Sequence, residues 1–248
     1  MKHYKTTFIL ILLTLLSCSS SDEEGIVLDD NQLDTFLEGR EVVLDNVIAC
    51  AASNRNPEEV SVFLYPRPGV TNIRYYETVN AEVDKNDFSL YTRQELPLLD
   101  VFNGYLVRYE VVPEEEKWVI VSFEEEGAIH ISNPIRLKQL SKPTEYLSEN
   151  VMTDFSMGNM PEFTWMDGVF TDSRIYFHVV TNALNDFLSG TYTFERRFQY
   201  YKLDNVVLNI TEETPPVLTP ETPYNFTLLA VSEDNWVNLF SEIPFEFE

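Results

Sequence analysis

Apolar residues in this chain recur with a period of two, in short runs broken by Pro, Gly, Asn and acidic clusters, and that pattern narrows the folds open to it. Val60, Val62 and Leu64 alternate with Ser61 and Phe63 until Tyr65-Pro66-Arg67-Pro68-Gly69 ends the run, and 73–76 follows as another apolar segment. Segments 104–112 (GYLVRYEVV) and 117–123 (KWVIVSF) flank an acidic loop at Glu114, Glu115 and Glu116, and 128–137 (AIHISNPIRL) completes a hairpin after Gly127. Strand-like runs resume at 163–165, 174–181, 191–201, 205–210, 224–231 and 236–240. Successive side chains of a strand point to opposite faces, so such runs with turn signals at short intervals predict an all-β chain of sandwich type. No long segment carries apolar residues at helical spacing.

The expected organisation is two tandem antiparallel β-sandwiches, residues 40–142 and 150–248, since the length allows two domains of roughly 100 residues. The stretch 140–149, with Lys142-Pro143, is the linker candidate, and the proline-rich 214–223 (TPPVLTPETP) is confined to loops or strand edges.

Upstream of the sandwiches the chain has the layout of a secretory signal: Lys2 and Lys5, then the apolar run 8–16 (FILILLTLL). That run is far shorter than the roughly 20 residues that cross a bilayer as a helix. Leu15-Leu16-Ser17-Cys18 resembles a bacterial lipobox. The resemblance implies that residues 1–17 are a signal peptide, that Cys18 is lipidated, and that several acyl chains hold the protein firmly on a membrane. Ser19-Ser20-Ser21-Asp22-Glu23-Glu24 resembles the tract that directs lipoproteins of Bacteroidetes to the outer face of the outer membrane. Residues 18–39 read as an acidic tether, with Leu33, Phe36 and Leu37 placed to form one amphipathic turn against the first domain.

In the second half, Tyr224-Asn225-Phe226-Thr227-Leu228-Leu229-Ala230-Val231 resembles strand F of a fibronectin type III module, with 232–236 as the following turn. Trp165 stands where that family often has a core Trp on strand B, and 175–180 suits strand C. The first half carries the same likeness in 60–76, as strands B and C, and in Trp118-Val119-Ile120-Val121. The whole chain thus resembles surface lipoproteins of Bacteroidetes with tandem fibronectin type III-like or immunoglobulin-like domains. That resemblance implies no particular activity.

The formal charge is −24, and removal of residues 1–17, with Lys2 and Lys5, makes it −26. That charge argues against nucleic acid as a partner, because binding there draws on Lys and Arg neutralising phosphates, and against an electrostatic membrane patch. With Cys18 lipidated, Cys50 has no partner for an intramolecular disulfide, and its apolar setting (Val47-Ile48-Ala49-Cys50-Ala51-Ala52) suits a small hydrophobe. His130 and His178 stand singly in predicted strands, without a second ligand at metal-binding spacing. No phosphate loop, nucleophile elbow or His-Glu-x-x-His motif is present, and neither a cofactor nor a metal is expected. The acidic runs at Glu114–Glu116 and Glu124–Glu126 read as solvated turns.

Trp236, Tyr192 and Phe187 are the candidate ligand-binding residues, as a loop-end aromatic platform for a glycan or an envelope protein. The alternative for Trp236 and Tyr192 is burial as core residues of strands G and C′. These features lead to a non-catalytic surface binding or assembly module, lipid-anchored at the outer membrane. One alternative is a polysaccharide hydrolase with two carboxylates about 5–10 Å apart. The other is a structural spacer, which requires a rigid domain junction and no concave aromatic surface.

Overall fold

The computed structural model describes residues 31–248. It is an all-β protein of two sandwiches. The first contains β1 (Val42–Val47), β2 (Ala49–Ser53), β3 (Val60–Leu64), β4 (Thr71–Glu77), β5 (Thr92–Gln94), β6 (Leu99–Val101), β7 (Leu106–Val111), β8 (Trp118–Glu125), β9 (Ala128–Ser132) and β10 (Ile135–Arg136). Sheet A has the order β1-β9-β8-β4-β5, with β10 also paired to β8, and sheet B the order β2-β3-β7-β6. β1 runs parallel to β9, and the other pairings of the two sheets are antiparallel.

The second sandwich contains β11 (Glu145–Tyr146), β12 (Val151–Asp154), β13 (Glu162–Trp165), β14 (Ser173–Asn182), β15 (Phe187–Thr193), β16 (Arg197–Gln199), β17 (Val206–Asn209), β18 (Tyr224–Ser232) and β19 (Val237–Phe245). Sheet C has the order β11-β19-β18-β14-β15-β17, and sheet D the order β12-β13-β16. Within the expected linker, β11 joins sheet C parallel to β19. The run 191–201, expected as one strand, is divided: β15 lies in sheet C and β16 in sheet D. The chain changes sheets there through a tight turn, in which the Thr193 hydroxyl donates to the Glu195 carbonyl at 2.7 Å. The run 128–137 likewise divides into β9 and β10 around Pro134, which has no N–H to donate to a ladder.

Strands with near-continuous apolar sequence are those covered on both faces. On β8, Val119, Val121 and Phe123 enter the core between sheets A and B. Trp118 and Ile120 face the other way, against Leu33 and Phe36 of α1 (Leu33–Leu37) and against Tyr91. Leu33 and Phe36 are buried, which contributes roughly 1.5–3 kcal/mol per side chain and holds α1 on sheet A. On β14 and β18, Tyr176, Val180, Phe226 and Leu228 fill the core between sheets C and D. Phe177, Val179, Leu229 and Val231 point outward from sheet C and meet sheet B.

The four sheets therefore stack as layers A, B, C and D, with a third apolar core between B and C. Domains joined by a large apolar interface move together rather than about a hinge. The junction is also cross-linked by hydrogen bonds. Ser53 N–H donates to Thr144 Oγ1 at 3.0 Å and Thr144 N–H to Ser53 Oγ at 2.8 Å. Ala51 N–H donates to the Asn235 carbonyl at 3.0 Å.

Candidate functional site

Sheet B presents different chemistry on its two faces. Toward sheet A it offers Ala51, Val60, Val62, Leu64, Val107 and Tyr109. Toward sheet C it offers Cys50, Ala52, Phe63, Leu106 and, paired across from Leu99 and Phe63, Arg108. Small or charged residues on this second face leave space that the facing row of sheet C does not fill. The result is a cavity of about 250 Å³ between the sandwiches. Its apolar walls include Phe63, Phe102, Leu106, Phe177, Leu229 and Phe240.

Polar residues also line this cavity, among them Asn54, Arg108, Asn185, Tyr192, Thr227 and Glu242. Thr227 lies cross-strand from Val179 and Glu242, on the face of β18 that also carries Leu229. It is 3% exposed and lines the cavity, and its hydroxyl makes no hydrogen bond among the described residues. Tyr192, 8% exposed, lines the same space with its ring stacked on Phe177 at 4.4 Å. Its hydroxyl is likewise unpartnered among the described residues, and burial raises its pKa well above the ordinary phenol value. Arg108 lines the cavity and pairs with Glu110 at 2.8 Å, but its Nε has no partner. Nearby, the Arg55 guanidinium lies 4.7 Å from the centroid of the Tyr146 ring, itself a lining residue. Glu242 lines the cavity as an exposed carboxylate, and neither it nor Arg55 has an ion pair among the described residues.

The aromatic residues expected to form an exposed platform are placed differently. Trp236 is fully buried in the core of the first sandwich, and its indole N–H donates to the Lys142 carbonyl at 2.8 Å. The turn between β18 and β19 is docked on the neighbouring sandwich, so the ring that follows it is an interior plug. Phe187 is half-buried and stacks on Tyr105 with centroids 3.5 Å apart. Gly190 makes room for it, since a Cβ there would come within 2.7 Å of the Phe187 ring. Tyr192 and Phe187 thus share the junction while Trp236 belongs to another core, and the three form no common exposed surface. Cys18 lies outside the described residues. Sequence reasoning missed Thr227, Arg108 and Glu242; the available signal was the polar Thr227 inside the otherwise apolar run 226–231.

Other reactive side chains are held in inert states. Burial pushes the Cys50 thiol up to about 12, so it is protonated at neutral pH. Burial lowers His178 to about 3, and its neutral ring sits against Phe198 at 4.1 Å with Nδ1 2.9 Å from Thr191 Oγ1. His130 belongs to a surface network in which Arg67 contacts both Glu125 and Asn46. Glu124 and Glu125, expected as solvated turn residues, are ion-paired to Arg40 and Arg67, each at 2.6 Å. Among the described residues, no group of three His, Cys, Asp or Glu is placed to hold a metal ion.

No family model matches the chain, and no curated protein matches it. Among solved structures it is similar to a two-domain fibronectin type III segment of chicken tenascin, at 10% identity and a TM-score of 0.30, over 82% of this chain and 98% of that one. It is also similar to the FN1–FN3 domains of chicken CNTN1, at 14% identity and a TM-score of 0.26, over 84% of this chain and 68% of that one. The two-sandwich architecture rests on the sheets described above.

Proposed function

We propose that this chain is a non-catalytic binding module of the bacterial cell envelope, anchored at the outer membrane through lipid on Cys18, and that the cavity between sheets B and C is its ligand site. One observation carries the binding role: a cavity of about 250 Å³ with apolar walls onto which the hydroxyls of Thr227 and Tyr192 open without a hydrogen bond among the described residues. Hydroxyls that face the cavity without a protein partner, with the buried and unpartnered Arg108 Nε beside them, suit an occupant that bonds to them. The protonated Cys50 and the neutral, enclosed His178 support a non-catalytic role, as does the single carboxylate, Glu242, among the cavity residues. Glycosidic hydrolysis needs two carboxylates.

The spacer alternative draws support from the continuous apolar core at the junction, which opposes hinge motion between the two sandwiches. The aromatic concavity distinguishes the two roles, because a spacer needs none. The test has two parts. Acyl labelling in a Bacteroidetes host should be abolished by Cys18→Ala, and retained label would refute the anchor. A small-molecule thermal-shift screen of the full chain should find ligands displaced by a bulky substitution at Leu106; ligands indifferent to it would refute the site.

A further inference from the structure

We infer that the junction cavity recognises a small zwitterion with an apolar side chain, the chemical class of the hydrophobic α-amino acids. This rests on the cavity being a binding site, as proposed above, and adds which ligand it takes. The size is the first constraint. A cavity of roughly 150 Å³ accepts benzene, so about 250 Å³ accommodates a branched aliphatic or phenyl side chain with a compact head. The walls are the second. Phe63 and Leu106 from sheet B face Leu229 and Phe240 from sheet C, which encloses an apolar group on both sides.

The polar residues set the head group. In a chain of charge −24, a cavity edge with Arg108 and, beside Tyr146, an Arg55 without an ion pair among the described residues is a local exception that suits a carboxylate. Arg108 has a side chain 34% exposed, so its guanidinium is reachable from solvent as well as from the cavity. Glu242 stands on the opposite sheet with no cation paired to it among the described residues, and its cross-strand neighbour is the open hydroxyl of Thr227. A carboxylate on the arginine side and an ammonium on the Glu242 and Thr227 side satisfy both at once. A ligand without the ammonium leaves Glu242 unanswered, and one without the carboxylate leaves Arg55 and the Arg108 Nε–H unanswered, although Arg108 keeps its pair with Glu110; charge-assisted hydrogen bonds are the strong ones.

Calorimetric titration of the full chain with phenylalanine and leucine, and with 3-phenylpropionate and phenethylamine, tests this. Both amino acids are expected to bind, and each single-charge analogue to bind at least tenfold more weakly than phenylalanine. Glu242→Gln, at an exposed position that leaves folding intact, should shrink the gap between phenylalanine and 3-phenylpropionate to under threefold. Thr227→Val, which keeps the side-chain shape, should weaken phenylalanine at least threefold. An analogue binding as tightly as phenylalanine, or a gap unmoved by Glu242→Gln, would overturn the zwitterion while leaving the cavity as a binding site. If no probe binds and Leu106→Trp, which fills the space, raises the melting temperature, the cavity is a packing void and both proposals fall.

Discussion

Sheet B packs on both sides, and its two faces are finished differently. Toward sheet A, its Val60, Val62, Leu64, Val107 and Tyr109 meet Tyr75, Val119, Val121 and Phe123, and Trp236 arrives from the other sandwich to complete the core. Toward sheet C, Cys50, Ala52, Phe63, Leu106 and Arg108 leave a cavity of about 250 Å³. Protein interiors are packed like organic crystals, so the open face is the exception on this sheet. The filled face specifies the fold. The open face holds the sandwiches together through its remaining contacts and leaves the space that we propose a ligand fills.

The largest expected effect breaks the filled side. Trp236→Ala removes a fully buried indole and its hydrogen bond to Lys142, and should cost about 3–5 kcal/mol. Because Trp236 belongs to the second sandwich and plugs the first, urea unfolding should remain a single transition shifted to lower denaturant. A cost under about 1 kcal/mol, or a new intermediate in which one sandwich unfolds alone, would show that the first core does not depend on its neighbour.

The second expected effect tests the core between sheets C and D, which is closed like the A–B core. His178 has a folded pKa of about 3, set by burial, against roughly 6.5 in the unfolded chain. The unfolded state therefore takes up this proton first as the pH falls. The stability tied to neutral His178 is complete above about pH 6.5 and declines as the pH drops toward 3, with a slope of at most about 1.4 kcal/mol per unit. The hydrogen bonds from Arg67 hold Glu125 below the usual carboxylate range, so its loss comes at lower pH. Unfolding free energies from pH 6.5 to 5 should show a slope that His178→Leu flattens, and an unchanged slope in that variant would mean the ring is reached by water.

What was legible in the sequence follows from how local the signal is. Alternation in 60–64 and the unbroken runs in 117–123 and 224–231 depend on neighbours in the chain, and the structure places strands there, buried on both faces where the run is unbroken. Which faces meet is not local. Trp236 follows Glu233, Asp234 and Asn235, which read as an exposed acidic turn, yet that turn docks through Asn235 and Ala51, far apart in the chain. The candidate site was less legible still. Tyr192 could be singled out as an aromatic, but Thr227, Arg108 and Glu242 come together only because sheets B and C stack, and no spacing rule connects them.

The smallest expected effects compare adjacent residues on β2 that face opposite ways. Ala51 is fully buried in the filled core, and Cys50 lines the cavity one residue earlier. Adding methylenes to a well-packed core costs about 1–3 kcal/mol, so Ala51→Leu should lose that much in chemical denaturation. Cys50→Leu extends into space already present, and its cost should stay under about 1 kcal/mol because the added apolar area is buried without displacing neighbours. Equal costs at the two positions would mean that the space beside Cys50 is not available to a side chain, and the contrast between the faces of sheet B would fail. A low cost at Cys50, accompanied by weaker phenylalanine binding in the same variant, would identify the space a leucine fills with the space the ligand uses.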